Sequence, residues 1–223
     1  MELDDRPPST VFLRPIGSPI ALGFAGLVAA SLVDSGLELG WFSQSEQTQV
    51  AIVLLAFAFP LQFAASMIAF AARDGGIGTG IGVLSGTWLT NALIFLATPS
   101  SARSHALGLF LLAAGGLLLG VAAAAATGKL VPAAVFAVEG LRFLLAGIYF
   151  LGGSEPWQDA SGVVGLVVVA LAGYAVLAAA LEDERTRDVL PLGRRSAGLL
   201  SMQKPFADQM RGVEHEPGVR KQL

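Results

Sequence analysis

The sequence predicts an all-α membrane protein, a bundle of six transmembrane helices, on three observations. Of its 223 residues 54% are hydrophobic and 14% charged, with a mean hydropathy of +0.66; soluble chains carry roughly a quarter charged residues. The basic residues are so unevenly placed that long stretches have none. A bilayer core of about 30 Å needs about 20 mostly apolar residues at about 1.5 Å of rise each. Six windows of that length, bounded by charge or turn residues, occur along the chain.

The first window runs from Ser18 to Leu39. It is too long for a signal-peptide core and no cleavage pattern follows it, so it is expected to remain as a span. The second, Val50 to Ala72, carries Pro60 mid-span, where the missing N–H and the ring should kink the helix. The third, Gly75 to Ala97, repeats Gly78, Gly82 and Gly86 at i+4, and the fourth, His105 to Thr127, repeats Gly116 and Gly120. Lipid gives helices no hydrophobic reason to associate, so small residues that let backbones approach are expected to mark tight contacts. Gly23 and Gly26 on the first span and Gly162, Gly165 and Gly173 on the sixth are further candidates; a glycine-lined pore is the alternative. The fifth window, Leu130 to Gly152, has Pro132 in its first turn, where a missing N–H costs nothing. The sixth is Ala160 to Leu181.

The chain therefore divides into an N-terminal segment over 1–17, a six-helix domain over 18–193, and a tail over 194–223. Pro205, Pro217 and mixed charge make that tail read as flexible. An even number of spans puts both termini on one side. Arg6, Arg14, Arg73, Lys129 and the basic tail residues lie there, and only Arg103 lies opposite. The positive-inside rule then predicts a multi-pass protein of the plasma membrane with both termini cytoplasmic. Cysteine is absent and histidine occurs only as His105 and His215, so disulfides, thiolate metal sites and His clusters are excluded. No cofactor is implied, and no basic cluster of groove size suggests a nucleic-acid partner. Nor does the chain pair a nucleophile with a base, which argues against an enzyme.

Ionisable side chains inside a span cost several kcal/mol unless paired or wet, and so are functional candidates by default. Glu139 lies about 14 Å into the fifth span at helical rise, with Arg142 about one turn deeper. At i and i+3 they share a face and can neutralise each other. Two readings follow: a self-satisfied pair that orders the bundle, or an arginine that receives an anionic solute while Glu139 tunes it or carries a proton. Counted from the same side, Leu27, Gln62 and Leu84 reach the same depth, a layer that would suit a small-solute path with an apolar constriction. Trp88 and Asn91 lie about one and two turns further out; Asn91 needs a partner in the bundle, and Trp88 is expected to pack. Asp34 and Glu38, near the outer end of the first span, are expected as two hydrated carboxylates at the interface, an acidic vestibule being the alternative. His105 opens the fourth span on the outer side.

Tyr174, Leu181, Glu184, Arg187, Val189, Leu190, Pro191, Leu192 and Gly193 form an Arg-x-Val-Leu-Pro-Leu-Gly ending at a set distance from the tyrosine. Gln62, Ala65, Phe70, Arg73, Gly75, Thr79, Trp88 and Leu89 form a second pattern across the second and third spans. Pro19, Leu22 and Gly23 match part of an Asn-Pro-Ala-Pro-Leu-Gly-Leu signature. In these stretches the chain resembles the acetate uptake transporters, or succinate-acetate permeases. The resemblance implies a homohexamer with one conduit per protomer, an architecture shared with acid-gated urea channels, and uptake of small monocarboxylates, coupled to protons or down a gradient. Several positions depart from the family: Ser18 stands for its asparagine, Leu27 for a pore-narrowing phenylalanine, Leu84 for a facing tyrosine, and Ala69 for a glutamate.

The functional expectation is a transporter or channel for acetate or a similar monocarboxylate, with a pathway through Pro19, Leu22, Gly23, Leu27, Gln62, Leu84, Trp88, Asn91, Glu139 and Arg142. In it Arg142 would attract the anion and Leu27 and Leu84 would form a dry gate. One alternative is a conduit for neutral solutes such as urea, amides or ammonia, which an aliphatic layer passes more readily. Another is a non-transporting assembly or signalling protein whose basic tail binds a partner or anionic lipid.

Overall fold

The computed structural model describes residues 17–72, 74–99, 102–185, 189–195 and 199. Among the described residues six helices are long and apolar enough to cross a bilayer: α1 (Ile20–Glu38), α2 (Gln44–Ala71), α3 (Gly75–Ala97), α4 (His105–Ala125), α5 (Leu130–Phe150) and α6 (Glu155–Arg185). The third coincides with its expected window. The sixth extends past its window at both ends, because its polar ends, from Glu155 and from Glu182, continue the helix beyond the apolar stretch. Local sequence sets several boundaries. Asp74 caps α3 by accepting from Ile77 N–H at 3.2 Å, and Ser104 caps α4 by accepting from Leu107 N–H at 3.2 Å.

Each helix packs on its chain neighbours, and α6 packs back on α1, so the six close a ring. The odd and even helices play different parts. The most apolar windows of α1, α3 and α5 are 61, 44 and 56% buried, against 33, 39 and 33% for α2, α4 and α6. The odd helices therefore supply the interior, and the even ones turn side chains such as Phe57, Phe63, Leu109, Leu117 and Val163 outward. Pro60 distorts α2 as expected, through a widened turn over Leu54–Ala58 in which Phe59 N–H reaches back to Leu54 C=O. A turn of that width relieves the clash between a proline ring and the carbonyl four residues earlier.

The glycines only partly follow expectation. Gly78 and Gly82 do meet α2, at the Phe70 ring (3.1 Å from where a Cβ would stand) and Ser66 Oγ (2.9 Å). Gly86, Gly116, Gly120 and Gly173 have nothing within 4 Å and make no tight contact in the protomer. The close approach of α4 to α5 is made instead by Gly115 against Gly140 and Gly108 against Gly147, where a Cβ would stand 2.7–3.0 Å from the facing carbonyl oxygens. On each helix the two glycines, 108 and 115 or 140 and 147, are spaced by a heptad, the repeat that keeps left-handed helix pairs in register. Gly115→Leu is accordingly expected to lower stability by about 1–3 kcal/mol through overpacking, seen as a lower melting temperature in detergent. Gly116→Leu, one residue along, should leave it unchanged.

The family-like ending has a structural explanation. Leu192 is buried, and Gly193 adopts a φ of +66° with Leu130 Cβ only 2.7 Å from where its own side chain would begin. Leu130 N–H donates to Gly193 C=O at 3.0 Å and Val131 N–H to Leu192 C=O at 3.1 Å, so the strap satisfies the free N–H groups that open α5. Tyr174 Oη donates to Pro191 C=O at 3.0 Å. Arg194 pairs with Glu182, and Arg195 N–H donates to Gly128 C=O at 2.7 Å. Arg194 and Arg195 open the segment expected to be flexible; its residues 196–198 and 200–223, and those before Gly17, lie outside the described residues. Gly193→Val is expected to lower the melting temperature, because it imposes a β-branched side chain on a left-handed backbone as well as the clash with Leu130.

Candidate functional site

A cavity of about 220 Å³ opens on the face opposite the described chain ends, between the α1–α2, α3–α4 and α5–α6 connections. Its rim carries Gln44, Thr98, Arg103, Glu155 and Gln158, its walls Phe95, Leu107, Phe143 and Tyr149, and its floor Asp34, Glu38, Asn91 and Arg142. At the rim Arg103 donates to Gly153 C=O at 2.6 Å and to Glu155 Oε1 at 2.7 Å, and lies 4.0 Å over the Tyr149 ring. This clasp ties the α3–α4 connection to the start of α6.

The floor is an ion cluster. Arg142 Nη2 donates to Asp34 Oδ2 at 2.8 Å and to Glu38 Oε2 at 3.0 Å, and Nη1 to Glu139 Oε1 at 3.3 Å. Ser161 on α6 donates to Glu38 Oε1 at 2.8 Å. Three helices therefore converge on one guanidinium. Space for it comes from Gly165, where any side chain would collide with Arg142 Nε and Ser35 Oγ. The expected pairing of Glu139 with Arg142 is present. The expectation of two hydrated carboxylates at Asp34 and Glu38 is corrected: Asp34 is only 6% exposed, because α5 carries its charge partner into the bundle beside α1. With both guanidinium arms engaged by carboxylates, Arg142 is not presented as a free positive charge.

Toward the chain ends the polar floor gives way to a solid apolar plug. Leu27, Leu84, Phe24, Ile81 and Phe136 are fully buried, with the Phe24 and Phe136 rings edge to face at 5.7 Å. Gly80 gives the Phe136 ring its space. Leu27 and Leu84 are both fully buried and neither lines the cavity. Trp88 packs edge to face on Phe143 at 5.5 Å and lies 5.6 Å from Arg142. Asn91 lines the cavity, 4% exposed, and its Oδ1 has no hydrogen-bond partner. Gln62 is buried on α2 and donates to Gly23 C=O at 3.2 Å, which joins α2 to α1. Pro19 caps α1, and Gly23 admits Ile81, whose Cδ1 is 2.5 Å from a Cβ position. Leu22 points outward with 39% of its surface exposed, away from this layer.

Asp34, Glu38 and Ser161 are the site residues that sequence reasoning undervalued. A signal existed: Leu27, Ser31, Asp34 and Glu38 recur at spacings of three and four, one stripe of α1. That stripe joins the plug to the polar floor.

A polar vestibule that ends on an apolar plug inside a six-helix bundle is the architecture of a membrane channel or transporter. The sequence pattern of the GPR1/FUN34/yaaH family matches residues 5–192, and the chain belongs to that family, as its resemblance to the acetate uptake transporters suggests. Among solved structures it is similar to one described as the structure of the bacterial acetate channel SatP, with a TM-score of 0.72 and 22% identity over 79% of this chain and 99% of that one. No curated protein matches the chain significantly. The protein is an integral, multi-pass membrane protein.

Proposed function

We propose that this protein is a membrane conduit for acetate or a similar small monocarboxylate. The observation that carries the reading is the vestibule of about 220 Å³ leading to a polar floor and stopping at the Leu27 and Leu84 plug. Family membership and the fold shared with an acetate channel support it. In this reading Leu27 and Leu84 form the dry gate, Trp88 and Asn91 the ledge above it, and Pro19, Gly23 and Gln62 shape the backbone below. Leu22 contributes from outside that layer. Arg142 gathers Asp34, Glu38 and Glu139 into a fixed floor rather than meeting the solute as a lone cation. The excess of basic residues on the terminal side supports cytoplasmic termini, with the vestibule facing outward. The resemblance supports a hexamer, in which the apolar outer faces of α2, α4 and α6 would meet lipid and neighbouring protomers.

Proteoliposomes containing the full chain are expected to take up labelled acetate with saturation, above protein-free vesicles. An inward proton gradient should speed that uptake if protons are coupled to it. Uptake at the level of empty vesicles would reject the reading.

A further inference from the structure

Asp34, Glu38, Arg103, Arg142 and Glu155 are the charged side chains that line the cavity among the described residues. Its two cations differ in what a solute can reach. Arg142 is 1% exposed and holds three carboxylates on its two arms, so its charge is already enclosed. Arg103 stands at the mouth with 33% of its side chain exposed. Of the two, it is the cation that a molecule entering the vestibule meets first.

The two arms of Arg103 are held in different ways. Nη1 donates to the main-chain carbonyls of Gly153 at 2.6 Å and Tyr149 at 3.4 Å, and the guanidinium lies 4.0 Å over the Tyr149 ring. Those partners belong to the end of α5 and the turn after it, and they fix the group in place. Nη2 donates to Glu155 Oε1 at 2.7 Å, and the Glu155 side chain is 69% exposed. An ion pair that open to water contributes little, because water competes for both charges and ordering two long side chains costs entropy. Glu155 can therefore turn into solvent while the anchored arm keeps the guanidinium where it is.

What Glu155 vacates suits a second carboxylate. The exchange puts one carboxylate in place of another on the same N–H groups, the charge-assisted geometry that a guanidinium favours. Leu107, Phe143 and Tyr149 line the same cavity of about 220 Å³ and give the carbon end of a short carboxylate an apolar wall.

We infer that Arg103 is the entry site of the conduit, where a solute carboxylate displaces Glu155 from the guanidinium, and that Glu155 is a tethered competitor for that site. The inference rests on the conduit reading and names the residue that receives the anion at its mouth. Because Glu155 is tethered at the start of α6, it returns to Arg103 as the solute moves on. The site is consequently weak, as conduction requires: binding must favour entry and still allow release.

The test measures initial rates of labelled acetate uptake into proteoliposomes of the full chain over a range of concentrations at one pH, with gel filtration confirming assembly. Arg103→Gln is expected to raise the KM about tenfold, and Glu155→Ala to lower it about threefold. The opposite signs separate a binding site from a clasp that only ties the α3–α4 connection to α6, since breaking such a clasp from either side has the same effect. Any other pattern, with both shifts in one direction or a KM unchanged in either variant, would overturn the entry site and leave the conduit standing. If Arg103→Gln does not assemble, Glu155→Ala decides alone, by a KM that falls or does not. A wild type that takes up no acetate above protein-free vesicles would reject the conduit, and the entry site with it.

Discussion

Arg142→Gln is expected to destabilise the protein by about 3–5 kcal/mol, the usual cost of removing one partner from a buried ion pair. The change strands Asp34, Glu38 and Glu139 around a neutral amide, with no other cation on the cavity floor. The measurement is the melting temperature and the yield of folded protein in detergent. Rescue distinguishes this cause from a simple packing defect. Adding Asp34→Asn and Glu139→Gln to Arg142→Gln should restore most of the lost stability, because amides replace the stranded charges at nearly the same volume. An unchanged melting temperature in the single variant would mean that the carboxylates do not depend on the guanidinium.

Leu84→Ala is expected to raise solute flux about tenfold, which corresponds to lowering the barrier by about 1.4 kcal/mol. Leu84 is fully buried in the plug with Leu27, and removing its branch opens the layer between vestibule and far side. The same substitution should cost about 2–5 kcal/mol of stability through the cavity it leaves, so flux is best scaled to folded protein. Leu84→Trp should do the reverse and bring flux close to that of empty vesicles. Flux that does not change in either variant would remove Leu84 from the barrier.

The membrane spans were legible from the sequence because bilayer thickness imposes one length on every element, and the charges between them stand out against that background. Counting puts Leu27, Leu84 and Glu139 in one layer, whereas Glu139 joins Arg142 and Asp34 on the polar floor and Leu27 and Leu84 are buried among apolar side chains. Partnerships between helices were harder to read. Asp34 looked like an interfacial residue by its distance from the end of α1, and only the closure of α1 against α5 and α6 places it under Arg142. Gly116 and Gly120 satisfied the familiar i+4 motif yet face outward, whereas Gly108 and Gly115 meet Gly147 and Gly140 at heptad spacing. Small residues show where a close approach is permitted; the rotation of the helix decides which of them uses it. The strap through Pro191 and Gly193 was recognisable as a family pattern, but its reason, supplying carbonyls to the open start of α5, depends on chain reversal that periodicity does not report.

The ion cluster also has a consequence for biogenesis. Asp34 and Arg142 are separated by 108 residues, so α1 leaves the ribosome long before the guanidinium that neutralises it exists. A charged carboxylate adds up to about 3 kcal/mol to the insertion of a span at the helix centre and less toward its ends, where Asp34 and Glu38 lie. The first helix must therefore enter the bilayer with its acids unpaired, or wait at the membrane surface or beside the insertion machinery until α5 and α6 are made. The last pair of helices then completes the assembly of the first, and a nascent chain halted before Arg142 would carry an unneutralised span that marks it as unfinished.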